Sequence, residues 1–260
     1  MTEERLAGGD LTEVVRIGAT VRRSTGFWTP GVHALLRHLA ERGFDGAPRA
    51  LGMDDEGREV LSYVEGTTVV LPHDGWSRTG EVLHEIGVLL RRLHDATEDF
   101  VPPEDARWRF WEGAPRSGEV MCHTDVTPQN VVFRSGHVVA LIDWDFAAPG
   151  PRLFDVASAA KHWVPLMTPE RAASEGWPSV PRGPRLRLLC DAYGVDARER
   201  AALLDMCLLK TRTGYASHEA WAAAGDPGFR RMWEEGSGPR MAADMEWLRE
   251  HWGELEAHLA

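Results

Sequence analysis

Apolar positions follow two different periods along the 260-residue chain, and the change between them separates a strand-rich beginning from a helical remainder. Short β-rich runs bounded by Gly-containing turns occupy residues 6–23 and 47–66, which is typical of a small sheet. Between them, residues 29–43 carry apolar side chains at helical spacing, begin with Thr-Pro and end on Gly. The first part therefore predicts a sheet with one helix.

The rest of the chain shows helical periodicity with two interruptions. Residues 77–96 place their apolar side chains on a single stripe, which predicts a long amphipathic helix. Residues 100–118 and the Pro- and Gly-rich residues 168–184 predict loops. Further helices are predicted from residue 153 and over residues 185–193, 197–209, 219–224, 229–235 and 241–259.

One stretch in the middle of the chain combines β-rich runs with polar residues at their ends. Residues 131–133 and 138–142 flank a Ser-Gly turn and predict a β-hairpin. A hairpin returns the chain to its starting point, so we expect Asp125, Asn130 and Asp143 to lie close together although they are separated in sequence.

These three side chains have a shared chemical use once they meet. A carboxylate can accept the proton of a hydroxyl nucleophile, and carboxylate and amide oxygens are the hard ligands that Mg2+ prefers. Both are requirements of phosphoryl transfer, in which catalysis is mostly positioning and charge neutralisation. Taken singly, each residue has an ordinary explanation, because Asp and Asn are common turn formers. The ordered set is far more specific than its members.

The pattern His123-x-Asp125-x-x-x-x-Asn130, followed by Ile-Asp143-Trp, resembles the catalytic loop and metal-binding segment of the aminoglycoside phosphotransferase-like family, relatives of protein kinases. The resemblance implies that Asp125 is the catalytic base and that Asn130 and Asp143 bind Mg2+. It also implies that His123 and Asp155 support the catalytic loop structurally.

The same resemblance implies a two-lobed, protein-kinase-like α+β fold. Residues 1–66 would form the small lobe of sheet and one helix, and residues 67–260 the larger, mostly helical lobe with the catalytic loop, metal site and substrate-binding region. A glycine hairpin at Gly8 and Gly9 would cover ATP or GTP, although two glycines alone are usually just a tight turn. The adenine edge would pair with backbone groups of the linker between the lobes, at Ser62, Tyr63 and Val64, which otherwise fit an ordinary strand end.

The sequence departs from this family where a cation should hold the nucleotide phosphates. No lysine occurs before residue 161, so Arg22 is the first candidate and Arg23 the second, since strand alternation directs only one of them inward. The helix after this strand also lacks the Glu that normally pairs with the cation. His33 lies near the expected place and is predicted to be a surface residue.

The helical C-terminal region supplies the variable substrate pocket in this family. A Trp face can stack on a sugar or a cation, and carboxylates can hold amines. The bland alternative is that Trp at helical spacing is core and that acids on helices face solvent. For Asp145 two further roles are open: its carboxylate either binds a second metal ion or faces solvent. The candidate substrate-binding residues are Asp145, Trp233, Glu234 and Asp244.

Composition restricts the partners. A net charge of −11 argues against nucleic acid and suits either a cationic substrate or plain solubility. Three scattered cysteines and an acidic, polar N-terminus predict a cytoplasmic protein without a disulfide framework or signal peptide. No apolar run is long enough to span a bilayer, so we expect no membrane partner. A monomer and a dimer both remain open.

The resulting prediction is Mg2+-dependent transfer of the γ-phosphate of ATP or GTP to a hydroxyl of a small molecule, with aminoglycosides and amino sugars as candidate acceptors. The alternative is a catalytically weak kinase-like protein that binds nucleotide or a small molecule, which the missing Lys and helix Glu suggest. A protein kinase is disfavoured, because no activation segment with an Ala-Pro-Glu motif follows Asp143.

Overall fold

The computed structural model describes residues 3–6 and 14–260. Their N-terminal part is a five-stranded antiparallel sheet in the order β1-β2-β3-β5-β4. Strand β3 therefore lies at the centre, with β5 beside it. The strands are β1 Glu3–Arg5, β2 Val14–Ile17, β3 Thr20–Arg23, β4 Ala50–Met53 and β5 Glu59–Ser62.

The predicted first helix is α1, Thr29–Glu41. It buries its apolar stripe, so that Leu35, Leu36 and Leu39 are almost completely inaccessible to solvent. The sheet and α1 all lie before the predicted boundary at residue 66, and the boundary itself stays a prediction.

Helices make up most of the rest of the chain. The predicted loop 168–184 in fact contains a short helix, because the Thr168 hydroxyl caps it by accepting a hydrogen bond from the Arg171 amide at 3.3 Å. One long helix replaces two predicted ones and begins with a capping box at Asp196. The helices are α2 Gly80–Asp95, α3 Arg152–Trp163, α4 Pro169–Ser174, α5 Arg182–Tyr193, α6 Ala197–Ala223, α7 Pro227–Glu234, α8 Ser237–Glu250 and α9 Trp252–Ala257.

Two short antiparallel ribbons frame the central polar stretch. The predicted hairpin is confirmed: its two strands pair across a turn in which Ser135 and Gly136 both have positive φ. The second ribbon joins a strand before this hairpin to one after it. The four strands are β6 Val120–Cys122, β7 Val131–Arg134, β8 His137–Leu141 and β9 Ala148–Gly150.

One large apolar cluster extends from α1 through α2 and α3 to α5 and α6. Trp144, Trp163 and Tyr193 are among its largest fully buried side chains. The architecture is thus a small antiparallel sheet followed by a mostly helical remainder, which confirms the predicted α+β class. Within the described part of the chain, no helix has both the length and the apolar character needed to cross a membrane.

The packing of α2 against α5 generates a prediction about Gly87. A Cβ atom there would lie 2.8 Å from the Ala192 Cβ and 3.1 Å from the Tyr193 amide nitrogen. We expect Gly87→Ala to lower the free energy of unfolding by about 1–3 kcal/mol, because it forces the two helices apart. Urea denaturation measures this. The control is Gly253→Ala in α9, where no atom lies within 4 Å of the added Cβ and the stability should rise by at most about 1 kcal/mol. Equal effects would contradict the assigned contact.

Candidate active site

The catalytic loop, residues 123–130, and the metal segment, residues 142–147, meet between the two ribbons. The Asn130 side-chain amide donates to the Asp125 backbone carbonyl at 3.0 Å and to its Oδ2 at 2.9 Å. The Ile142 amide donates to the Asn130 carbonyl at 2.9 Å, immediately before Asp143. The structure therefore brings Asp125, Asn130 and Asp143 together.

Two residues at this junction have left-handed backbone conformations that are costly for side-chain-bearing residues. Thr124 has φ +66° and Asp143 has φ +62°. Thr124 is held in this state because its hydroxyl donates to the Phe146 carbonyl at 2.9 Å and accepts from the Trp111 indole at 3.0 Å. These bonds tie the catalytic loop to the metal segment.

Asp155, at the start of α3, anchors the catalytic loop from below. Its carboxylate accepts the amides of His123 at 2.7 Å and Thr124 at 2.6 Å, and the ring of His94 at 3.0 Å. Burial alone would raise the pKa of Asp155, but the hydrogen bond from His94 and the nearby histidines outweigh it and lower that pKa. The His123 ring in turn donates to the Ile142 carbonyl at 2.9 Å and accepts from the Asp125 amide at 3.3 Å.

Asp125 is half-buried, and its surroundings shift its pKa. Burial raises its pKa above the ordinary value, and the charge of Asp143 raises it further. Lys210, His123 and the hydrogen bond from Asn130 act in the opposite direction. A carboxylate with a raised pKa is a stronger base than an exposed one.

Arg23, at the end of β3, connects the sheet to the metal segment. Its guanidinium pairs with Glu59 at 2.9 Å, with Asp143 at 3.1 Å and with Asp145. Burial alone would lower the pKa of Arg23, but the three carboxylates raise it, so the guanidinium stays charged. Glu59 also contacts the His33 ring at 2.9 Å.

This arrangement corrects two expectations about the strand cation. Val21 packs on the core, so strand alternation directs Arg23 inward and Arg22 to the opposite face. Arg22 instead contacts Thr20 at 2.7 Å and Asp54 at 3.5 Å. His33 is buried rather than exposed, because it lies against the cross-strand partner of Arg23.

The predicted nucleotide-binding linker has most of its amides already in use. The Ser62 amide donates to the Arg49 carbonyl and the Tyr63 amide to the Ala19 carbonyl, both at 2.9 Å. Of these three linker residues, Val64 has no amide hydrogen bond to another described residue. The predicted glycine hairpin at Gly8 and Gly9 lies outside the described residues.

The predicted substrate-binding residues are dispersed, and two of the carboxylates are already paired. Asp145 is buried against Arg23, which excludes the solvent-facing reading. Asp244 is buried and accepts from Arg171 and from the Thr168 amide. Trp233 packs edge-on against Tyr215, and Glu234 is exposed on α7.

The donors at the junction fit Mg2+. The Asn130 amide group uses its nitrogen towards Asp125, which leaves the oxygen for a cation. The Asp143 side chain is half exposed, and its negative charge raises the pKa of both Asp125 and Asp145. Carboxylate oxygens are hard ligands, and their mutual repulsion would be relieved by a small divalent cation such as Mg2+.

The model of the phosphotransferase enzyme family matches residues 105–204, which include the catalytic loop, the metal segment and α3. An amicoumacin kinase solved in complex with AMP-PNP and Ca2+ superposes with a TM-score of 0.68 at 13% identity, covering 95% of this chain and 88% of that chain. The chain therefore has a protein-kinase-like fold.

Two sequence relatives support the same assignment. The trifolitoxin immunity protein of Rhizobium leguminosarum bv. trifolii is 39% identical over 265 residues, which cover 98% of each chain. A homoserine kinase of Chelativorans sp. (strain BNC1) is 28% identical over 165 residues, which cover 50% of this chain and 51% of the relative. The chain belongs to the phosphotransferase enzyme family of kinase-like small-molecule phosphotransferases.

Sequence reasoning missed several residues of this site. Glu59 lies two residues before the buried Leu61 on β5, so the two side chains share the inward face of the strand. His94, near the end of α2, is buried and hydrogen-bonded to both Asp155 and Tyr193. No local signal marks His94, because both partners come from distant helices.

The buried network of Asp155 generates a pH-dependent prediction. We expect Asp155→Asn to lower the free energy of unfolding by about 2–4 kcal/mol at pH 7, because charge-assisted hydrogen bonds are lost. The folded-state pKa of Asp155 is depressed, so its stabilisation is complete above about pH 4 and disappears as pH falls through the folded pKa. The gap in Tm between wild type and variant should therefore shrink in acid. A gap that does not change with pH would refute this, and the exposed Asp95→Asn is the control.

The Arg23 cluster generates a second prediction. Arg23→Ala leaves Glu59 and Asp145 buried without their guanidinium, and we expect a loss of about 3–5 kcal/mol of unfolding free energy. Arg22→Ala, the adjacent control on the other face, should cost less than about 1 kcal/mol. Urea denaturation of both variants distinguishes them, and a larger cost for Arg22→Ala would show that the strand faces the other way.

Proposed function

We propose that this protein transfers the γ-phosphoryl group of ATP or GTP to a hydroxyl group of a small molecule, in a Mg2+-dependent reaction. The observation that carries the proposal is the junction of Asp125, Asn130 and Asp143, held by buried hydrogen bonds from two loops. Membership of the phosphotransferase family supports it. The strained backbone of Thr124 and Asp143 is typical of a functional site.

In the proposed reaction, Asp125 orients the acceptor hydroxyl and receives its proton. The hydroxyl oxygen forms a bond to the γ-phosphorus, and the bond from that phosphorus to the leaving nucleoside diphosphate breaks. Asn130 and Asp143 would hold Mg2+, which neutralises phosphate charge when bound. The raised pKa of Asp125 favours proton acceptance.

Residues outside this junction hold its parts in place. His123 and Asp155 keep the catalytic loop in its strained conformation. Arg23 orients Asp143 and fixes it against the sheet, with Glu59 and His33 behind it. In this proposal, the Arg23–Glu59 pair on two neighbouring strands takes over from the strand-Lys and helix-Glu pair of kinase-like proteins. The nucleotide would contact the linker at Val64.

The relatives suggest the biological role. The full-length relative is named for immunity to trifolitoxin, and the similar solved structure is an amicoumacin kinase. We propose that the chain protects its host by phosphorylating a toxic compound that carries a hydroxyl group. A homoserine kinase matches half of the chain, so a hydroxy amino acid is the alternative acceptor if the role is metabolic.

A second candidate is a binding protein that sequesters its ligand without turnover. The direct pair between Arg23 and Asp143 favours it, because a guanidinium already neutralises the principal proposed metal ligand. The absence of lysine before residue 161 points the same way. The two candidates differ in whether Asp125 matters for protection.

The deciding measurement is nucleotide consumption with Mg2+ across trifolitoxin, amicoumacin, homoserine, aminoglycosides and simple alcohols. We expect acceptor-dependent turnover that falls by a factor of about 100 or more in Asp125→Ala, because the proton acceptor is lost. Asp143→Ala should remove the Mg2+ dependence of nucleotide binding. Asp205→Ala, an exposed acid on α6, is the control. Nucleotide binding without turnover, with protection unchanged in Asp125→Ala, would establish the binding protein instead.

A further inference from the structure

Only two of the 29 Lys and Arg residues of the chain are lysines, and both are buried in the helical part. Lys161 on α3 is 8% exposed and Lys210 on α6 is 6% exposed. The helices α3 and α6 pack against each other. Lysine is almost never buried to this extent without a partner, so the pair requires an explanation.

Neither ammonium group forms an ion pair with a residue that the structure describes. Among residues 3–6 and 14–260, no carboxylate lies within 4.0 Å of either Nζ, and neither Nζ makes a hydrogen bond. The carboxylates that raise the pKa of Lys161 are those of Asp244 and Glu175, and both already form ion pairs with Arg171. The positive charge of Lys161 is therefore uncompensated, whereas that of Lys210 is opposed only at longer range by the carboxylates of Asp125 and Asp155.

Lys210 is positioned next to the catalytic loop, and Lys161 lies one helical turn from a residue that contacts this loop. The Lys210 ammonium lies 4.4 Å from the centre of the Trp111 ring, whose indole donates to Thr124, the neighbour of Asp125. Its charge lowers the pKa of Asp125. Lys161 follows Ser158 by one helical turn, and the Ser158 hydroxyl accepts the Val126 amide of the catalytic loop at 3.0 Å.

A glycine within α6, Gly214, lies beside both Lys161 and Met241. A Cβ atom on Gly214 would lie 4.0 Å from the Lys161 Nζ and 3.3 Å from the Met241 sulfur. The contact with Met241 would be tight and the one with the ammonium group ordinary, so this glycine mainly makes room for α8 and leaves Lys161 in van der Waals contact with α6.

Keeping these charges unpaired is energetically unfavourable. Burial lowers the pKa of Lys161 to about 7 and that of Lys210 to about 8. Nearby cations lower the pKa of Lys161 further, whereas the carboxylates of Asp125 and Asp155 raise that of Lys210. Lys210 and Arg171 both act to lower the pKa of Lys161. An anion bound between the lysines would reverse these effects, because opposite charges at low dielectric attract strongly.

We propose that Lys161 and Lys210 form an anion subsite beside the catalytic loop, and that the acceptor of the phosphoryl group carries a carboxylate or phosphate group that binds there. The inference rests on the proposed function and specifies its substrate class as hydroxylated anions. It also disfavours polycationic acceptors such as aminoglycosides, whose amines would meet two ammonium groups.

The first test measures anion binding without turnover. The intact chain is titrated at constant ionic strength and pH 7 with glycolate, inorganic phosphate or ethylene glycol, and Tm is recorded. We expect an anion-dependent rise in Tm with glycolate, phosphate or both, and none with the neutral diol. The two anions distinguish a carboxylate subsite from a phosphate subsite.

Variants assign the response to the two lysines. Lys161→Met and Lys210→Met should each weaken anion binding, and the double variant should abolish the Tm response. Both single variants should be at least as stable as wild type without anion, because an unpaired buried charge is replaced by an apolar side chain. Arg212→Met, an exposed residue on α6, is the matched control and should leave the response unchanged.

Turnover then separates this inference from the proposed function. For an acceptor found in the nucleotide-consumption assay, Lys210→Met should raise its KM by about 30-fold or more and leave the nucleotide KM within about twofold. Turnover confined to cationic acceptors would overturn the subsite and leave the phosphotransferase intact. Lysine-dependent anion binding without any turnover would leave the subsite intact and reject the enzyme.

Three other results would overturn the subsite. One is a wild type whose Tm does not respond to either anion. A second is a response that survives in the double variant, since the anion would then bind elsewhere. The third is a lysine variant that is strongly destabilised in the absence of anion, which would mean that the lysine serves the packing against Trp111 and Phe154 instead.

Discussion

The geometry of the site depends on one buried carboxylate. Asp155 accepts two consecutive amides of the catalytic loop and a histidine from α2, so three parts of the chain are fixed by a single charged group. These charge-assisted bonds hold Thr124 in a conformation that a β-branched residue rarely adopts. Asp125 is the next residue after Thr124, so its position depends on the hydrogen bonds that Asp155 accepts from the loop. Asp155 therefore supports the site without being one of the residues that would perform the chemistry.

Local features of the site could be predicted from the sequence. The hairpin of β7 and β8 follows from β-rich runs and a Ser-Gly turn, and it is the hairpin that returns Asp143 to Asn130. The choice between Arg22 and Arg23 was also available locally, because Val21 is the apolar residue whose face Arg23 shares. Arg23 lies two residues after Val21 and therefore on the same, inward face of β3, whereas Arg22 lies on the opposite face.

Other features depend on contacts between distant segments and could not be predicted. Glu59 pairs with Arg23 only because β5 lies beside β3 in the sheet, an order that sequence periodicity does not specify. Asp145 and Asp244 read as free acids in the sequence, since their arginine partners come from other elements. The net charge of −11 likewise conceals an uneven distribution. Acidic groups gather at the metal segment, while the two lysines are buried within the helical part of the chain.

The burial of both lysines has a practical consequence for chemical modification. Most proteins present many lysine amines to solvent, so amine-directed dyes and crosslinkers attach at random. Here the side-chain amines are confined to Lys161 and Lys210, and both are shielded by the helices that carry them. A bulky amine-directed reagent should therefore react slowly with both side-chain amines. A reagent small enough to reach the two lysines would report directly on access to the interior.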